Sequence, residues 1–316
     1  MKVKLLSRNP DDYLRETKND IQKVPRNFDS RLHPFEASRE YVRALNATKL
    51  ERVFAKPFIG DLNGHKDVIS CMRKHPTSIS TLLSGSYDGE VRIWNLINRR
   101  CITNVQAHTG VVNSLCVHPS GQHFFTCGID KSIKQWKLGP DGQVDDEAVN
   151  VILGKTLFHS MDHHWKDNIL ATCGEQVDIW DEMRAEPIRT FTWGVDSIQS
   201  VKFNPVEHHL LGATACDRSI MLYDMRGTAP LRKVLLKLKS NAMAWNPMEP
   251  FIFTAANEDY NLYTFDMRNL RQPINIHMDH VDAVIDVDYS PTGREFASAG
   301  WDKCVRIFPQ NSGRSR

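Results

Sequence analysis

One twelve-residue spelling, Leu83-Ser-Gly-Ser-Tyr-Asp-Gly-Glu-Val-Arg-Ile-Trp94, constrains this chain more than any other feature, because its variants return at a nearly fixed spacing. Ser84-Gly85 closes one apolar strand, Asp88-Gly89 makes a tight hairpin turn because glycine tolerates positive φ, and Val91 and Ile93 alternate with Arg92 toward Trp94. An aspartate stands six positions before an aromatic in four further places: Asp130 before Trp136, Asp217 before Tyr223, Asp259 before Phe265 and Asp302 before Phe308. With Trp180 included, the strand-ending aromatics advance by 42, 44, 43, 42 and 43 residues. Pro76, Pro119, Pro205, Pro247 and Pro291 keep the same time, with one member missing between the second and third, and His65, His108 and His280 precede the first strand of their units. A period of about 40 to 45 residues with four short strands predicts an all-β propeller, since no single repeat can bury both of its faces.

Six such repeats occupy residues 56–316, and the chain stops after Phe308 where a further outer strand is due. A propeller must close. Either residues 56–62 complete a six-bladed ring, or, the reading preferred here, the chain is shortened and a seventh blade is missing, because an open ring leaves strand edges exposed. The third repeat, Ala171 to Trp180, has a shortened turn with Gly174 at the aspartate position, and its alignment is the least secure.

Residues 1–55 form a different domain. Residues 1–57 hold thirteen Lys and Arg against eight Asp and Glu, so a basic arm precedes a mildly acidic body although the whole chain carries only +2. An anionic partner or plain solvation of a flexible tail would both account for it. Up to about residue 35 the arm reads as extended, with Pro10, Pro25 and Pro34 among scattered apolar residues. Ser38 then caps a short amphipathic helix to about residue 54, whose stripe of Tyr41, Ala44, Leu45 and Val53 packs on the body or in a partner's groove.

Composition excludes several classes. At 41% hydrophobic, 25% charged and a mean hydropathy of −0.42, no run approaches the ~18 apolar residues of a membrane-crossing helix, and the start lacks a secretory signal's apolar core. Seven cysteines, odd in number and never spaced C-x-x-C, indicate neither a disulfide frame nor a zinc knuckle; they read as reduced core residues of an intracellular protein. The sequon at Asn46 is a chance match without a secretory route. Gly154-Lys155-Thr156 imitates the end of a phosphate-binding loop, but Val149 stands where its first glycine belongs. His163-His164 and His208-His209 are neighbours on strands, face opposite ways and make poor chelates. With no nucleophile elbow and no H-E-x-x-H, the expectation is a non-enzyme with no cofactor, metal or small-molecule substrate.

The sharper signal is a pair of boxes, Tyr223-Asp224-Met225-Arg226 and Phe265-Asp266-Met267-Arg268, 42 residues apart and so at equivalent places on adjacent blades. The aspartate can orient the arginine two residues on and present a planar donor fork to a partner, or it can simply tie the strand to the next loop. Trp180-Asp181-Glu182-Met183-Arg184 is a third copy with one extra residue.

These residues carry a family resemblance. The chain resembles WD-repeat β-propellers, with His65, Ser84, Asp88 and Trp94 matching that family's buried polar tetrad and His108, Thr126, Asp130 and Trp136 matching it again. His280, Ser298 and Asp302 match in the sixth repeat, where Phe308 cannot donate the indole hydrogen bond, and repeats four and five have Ala213 and Ala255 in place of the hydroxyl. A complete tetrad makes the first blade one of the firmest. The boxes resemble those of substrate receptors of cullin-RING ubiquitin ligases, which implies that Asp224, Arg226, Asp266 and Arg268 meet the ligase's adaptor propeller. The opening Lys4-Leu-Leu-Ser-Arg-Asn-Pro10, the strings from Pro25 to Asp29 and from Arg43 to Phe58, and Asn257 to Arg268 are similar to the Sof-type nucleolar WD-repeat family, cullin-associated factors that are also components of the small-subunit processome. That resemblance implies a scaffold in the nucleolus, within the nucleus, needed for processing small-subunit ribosomal RNA, with pre-ribosomal RNA and small nucleolar ribonucleoproteins as partners. It gives Lys2, Lys4, Arg8, Arg15, Arg26 and Arg31 a role on RNA phosphates. The alternative it implies is substrate recognition for a cullin-RING ligase.

Overall fold

Short runs of β-branched and aromatic residues, each cut off by an Asx, Gly or Pro turn, fold into strands of three to seven residues. The computed structural model describes residues 60–139, 141–192, 197–227 and 229–315, with helical backbone at Ser38, Tyr41, Val42, Ala44, Leu45 and Thr48. Thr48 Oγ1 donates to Ala44 O at 2.8 Å, and Tyr41 is exposed. The six basic positions assigned to RNA, from Lys2 to Arg31, lie outside the described residues.

Among the described residues the strands make six antiparallel sheets, each in sequence order. The first is β1 (Ile69–Lys74), β2 (Thr81–Ser86), β3 (Glu90–Asn95) and β4 (Arg100–Gln106). The second is β5 (Val112–Val117), β6 (His123–Gly128), β7 (Ser132–Lys137) and β8 (Asn150–Leu153); the third is β9 (Ser160–His163), β10 (Ile169–Cys173), β11 (Val177–Asp181) and β12 (Arg189–Phe191). The fourth is β13 (Ile198–Phe203), β14 (Leu210–Ala215), β15 (Ser219–Asp224) and β16 (Pro230–Leu235); the fifth is β17 (Ser240–Trp245), β18 (Ile252–Asn257), β19 (Asn261–Asp266) and β20 (Asn275–Met278). The sixth has three strands, β21 (Val284–Tyr289), β22 (Glu295–Gly300) and β23 (Val305–Pro309). The first strands β1, β5, β9, β13, β17 and β21 stand side by side in series, so the molecule is a six-bladed β-propeller.

Its core lies between the blades. Leu83, Val91 and Ile93 of the first sheet pack on Val112, Leu115, Phe124 and Trp136 of the second, and Cys127 and Ile133 of the second on Met161 and Leu170 of the third. Ile179 and Phe191 meet Val201 and Tyr223; Ile220 and Leu222 meet Met243 and Phe253; Ala256 and Leu262 meet Val287 and Phe296. Burying both faces of a sheet this way is what stabilises it, at roughly 25 cal/mol per Å² of apolar surface.

The series ends at an open seam. The residue three places after the turn aspartate is buried in Val91, Ile133, Ile220 and Leu262, yet Val305 of the sixth sheet is 73% exposed. On the other side, Met72 is 59% and Ile69 is 45% exposed, where their counterparts Leu115 and Val112 are buried. Between them is a cavity of about 410 Å³ with Met72 and Arg73 on one wall and Asp286 and Asp288 on the other. Residues 60–62, offered as part of a closing strand, carry no strand, and 56–59 lie outside the described residues. After β23 the chain turns back onto the fifth sheet: Met278 N donates to Gly313 O at 2.9 Å, the His277 ring meets Ser312 O at 2.7 Å, and Arg314 pairs with Asp279 at 2.9 Å.

Polar tetrads hold the inner ends of the blades. In the second blade Trp136 Nε1 donates to Thr126 Oγ1 at 3.1 Å, Thr126 meets His108 Nε2 at 2.9 Å, and His108 Nδ1 meets Asp130 Oδ2 at 2.8 Å. The donors form one directed chain from indole to carboxylate. In the sixth blade Ser298, His280 and Asp302 keep the two inner links, at 2.7 and 2.9 Å. The third blade keeps a single link, Trp180 Nε1 to Thr172 Oγ1 at 2.8 Å, across a hairpin two residues shorter. Gly174 suits that turn because a Cβ there would sit 2.1 Å from Leu157 O. The first blade departs from expectation. Trp94 Nε1 donates to Ser84 Oγ at 2.8 Å and Ser84 meets His65 Nε2 at 2.6 Å, but His65 Nδ1 is buried without a hydrogen-bond partner. Asp88 accepts instead from the amides of Glu90, at 2.9 Å, and Lys66, at 3.4 Å. Among the described residues no sheet lies behind β1 to press His65 onto Asp88, and the tetrad of this blade is left incomplete.

The hairpin turn keeps its shape without its glycine. Gly89 has φ of 83°, and the equivalent Lys131, Arg218, Tyr260 and Lys303 hold φ of 61°, 69°, 71° and 60°. The turn aspartate accepts the amide two residues on, at 2.9 Å in Asp88 and 3.0 to 3.1 Å in the other four, which offsets the roughly 1 to 2 kcal/mol cost of a left-handed residue.

Two outcomes follow for stability. Val91→Asp should lower the urea unfolding free energy by about 3 kcal/mol or more, while Val305→Asp changes it by less than about 0.5 kcal/mol. Equal losses would mean that the seam is closed in solution. Burial, partly opposed by their aspartates, holds His108 and His280 below the ordinary histidine value of 6.5. The folded state then binds fewer protons than the unfolded chain, so their contribution is complete above pH 6.5 and is lost as pH falls toward the lowered folded value. The unfolding free energy should decline below pH 6.5 by at most about 1.4 kcal/mol per pH unit for each ring, and less in His108→Gln.

Candidate functional site

The strand that ends in the repeat's aromatic exits into a short turn, and in the fourth and fifth blades that turn begins with aspartate. Asp224 O accepts the Gly227 amide at 3.1 Å, and its Oδ1 accepts the Arg226 amide at 2.9 Å. A carboxylate fixed by its own turn can then take the guanidinium edge-on. Arg226 Nε lies 3.1 Å from Oδ1 and Nη2 lies 2.8 Å from Oδ2, a bidentate fork. Asp266 and Arg268 repeat the arrangement at 2.9, 3.0 and 2.8 Å. The hydrogen bond from each arginine lowers its aspartate's pKa below the ordinary carboxylate value. Even so, the two arginine side chains remain 68% and 65% exposed. Arg268 also lies over the Phe251 ring, 4.7 Å from its centre. The four residues singled out by spacing are thus brought to the same end of adjacent blades, with pinned side chains and exposed guanidinium groups.

The third copy differs because its extra residue is used inward. Arg184 makes one longer side-chain contact to Asp181, at 3.5 Å, while Glu182 is buried and meets His163 Nε2 at 2.6 Å. His118 Nε2 lies 3.4 Å from the same carboxylate oxygen. The two histidines and Glu182 have ligand atoms close enough to surround a metal ion, a gathering of three distant segments that no sequence spacing announces. The hydrogen bonds assign the cluster otherwise. His118 Nδ1 accepts the Ser120 amide at 3.0 Å, so its Nε2 carries the hydrogen, which is shared between Asn168 Oδ1 at 3.2 Å and Glu182. A metal ligand would need a lone pair there. The cluster therefore ties the second blade to the third.

Sequence reasoning also missed two arginines behind the boxes. Arg189 of β12 donates from Nη1 to Met225 O at 2.6 Å and Gly227 O at 2.8 Å. Arg232 of β16 donates from Nη1 to Met267 O at 3.0 Å and Arg268 O at 2.5 Å. Their spacing of 43 residues is the repeat period, a signal that was present but unmarked by any motif. All seven cysteines are free; burial raises the thiol pKa of Cys116, Cys127 and Cys173, the last to about 12, whereas Cys304 is exposed and not the core thiol expected.

The propeller fold agrees with what the chain is similar to. A family model described as "WD domain, G-beta repeat" matches residues 56–95, 99–137, 185–224 and 271–308. The protein named "DDB1- and CUL4-associated factor 13" of Xenopus laevis is 62% identical over 317 residues, which is 100% of this chain and 71% of that protein. The Homo sapiens protein of that name is also 62% identical over the same shares, and that of Dictyostelium discoideum is 48% identical over 318 residues, 72% of its length.

Proposed function

We propose, from the fact that this chain belongs to the WD-repeat family of DDB1- and CUL4-associated factor 13, that it is a non-enzymatic substrate receptor of a cullin-RING ubiquitin ligase, docked on the DDB1 adaptor through its two arginine boxes. The observation that carries this reading is the paired fork: two guanidinium groups at one end of adjacent blades, each held bidentately by its own aspartate and each about two-thirds exposed. Arginines held this way have already lost much of their side-chain freedom, which removes part of the entropic cost of binding, and their planar forks suit carboxylate or carbonyl acceptors on a partner. The name of the relatives states an association with DDB1 and CUL4 and supports the same direction. In this reading the other surfaces of the ring take the protein to be modified. In the same reading the open seam is where a further blade would seat.

A second reading is favoured by the basic arm: a scaffold of the nucleolar small-subunit processome, with Lys2, Lys4, Arg8, Arg15, Arg26 and Arg31 on RNA phosphates. The two readings use different parts of the chain and are compatible.

Arg226→Ala with Arg268→Ala should weaken capture of purified DDB1 by at least about tenfold while the unfolding midpoint stays near wild type. Unchanged capture by the folded double variant would leave the boxes as strand ties. For the second reading, deletion of residues 1–55 should abolish co-sedimentation with pre-ribosomal particles. Unchanged sedimentation would remove the arm's role.

A further inference from the structure

Each blade reaches the next from one equivalent place. Thr103, Asn150, Arg189, Arg232 and Asn275 sit in the outer strands β4, β8, β12, β16 and β20. Each is the Cα partner of the residue just before its blade's strand-ending aromatic: Ile93, Gln135, Ile179, Leu222 and Thr264. All five donate a hydrogen bond to the backbone of the following blade's strand-exit turn. Thr103 donates to Gly142 O at 3.2 Å, Asn150 to Glu182 O at 3.2 Å and Asn275 to Gln310 O at 2.8 Å, one bond apiece. Arg189 and Arg232 make two bonds apiece, and theirs are the two turns that carry the boxes. Arginine therefore stands at this register only where the receiving turn must present another arginine.

We propose that Arg189 and Arg232 are positioning residues for the docking of the ligase adaptor, an inference that rests on the function proposed above. The carbonyls they hold belong to Met225 and Gly227, on either side of Arg226, and to Met267 and to Arg268 itself. Fixing those peptide planes fixes the Cα of the presented arginine; the box aspartate then fixes its guanidinium. Each box is thus held from two blades, its own and the one before. The third, fourth and fifth blades form one preorganised ledge in which Arg189 sets Arg226 and Arg232 sets Arg268. The neutral donors elsewhere close the same interblade gap without this role, because a single bond leaves a turn free to pivot about it.

The test compares five chains of 316 residues: wild type, Arg189→Gln with Arg232→Gln, Arg189→Lys with Arg232→Lys, Arg226→Ala with Arg268→Ala, and the glutamine and alanine pairs combined. For each, binding to purified DDB1, the unfolding midpoint and amide hydrogen exchange of residues 225–227 and 267–269 are measured. The glutamine pair should lose about tenfold in affinity with a midpoint close to wild type and faster exchange confined to the two turns. The lysine pair, which keeps a donor at each site, should recover most of that affinity. Adding the glutamine pair to the alanine pair should cost nothing further, because the turns then present nothing to position. Unchanged exchange, unchanged affinity, or an equal and independent loss on top of the alanine pair would each overturn the proposal. Should the alanine pair itself bind as wild type does, the docking function fails and the positioning role falls with it, an outcome distinct from failure of the glutamine pair alone.

Discussion

A single blade of this molecule has two apolar faces and can cover neither. That requirement governs the rest of the structure, because every core cluster is built from residues of two successive sheets. It explains why β14 can be buried along its whole length and why the same kind of residue behaves oppositely at the ends of the series. Val91 and Val305 occupy one register; one is 1% exposed and the other 73%, and only the presence of a following sheet separates them. Stability is therefore shared between neighbours.

Polar groups do the complementary work of fixing how each blade sits. Where a neighbour presses on both sides, as in the second blade, indole, hydroxyl, imidazole and carboxylate complete a directed chain. At the seam the same four chemical groups leave one imidazole nitrogen without a partner. The hydrogen-bond network follows packing. The turn aspartates, by contrast, act within their own hairpin and hold the turns of five of the six blades, all but the third, in the left-handed conformation whatever residue occupies it.

The proposed docking uses the strand exits, which lie beyond the last buried residue of each strand. Replacing the neutral residues after Trp94 with Asp-Met-Arg after Tyr223 and Phe265 costs the blade little, since these residues lie beyond the last buried position. The exit turns are also where blades touch through backbone carbonyls, so a side chain of one blade can govern the display of the next. A propeller thereby supplies what a docking surface needs: several loops at one end, each braced by a rigid sheet.

Much of this was legible in the residues alone. The period of the aromatics determined six blades, because alternation and turn chemistry are local and repeat with the chain, although each aromatic closes the third strand and, in the first five blades, an outer strand follows it. The 42-residue spacing placed Arg226 and Arg268 at equivalent exits for the same reason. The tertiary structure decided everything that depends on which blade faces which. It left His65 half-satisfied despite a complete set of tetrad residues, turned Glu182 inward to His163 and His118, and set Arg189 and Arg232 behind the boxes. None of these follows from local spelling, since each joins residues of different blades or rests on a neighbouring blade, and distance along the chain says nothing about a contact made across an interface.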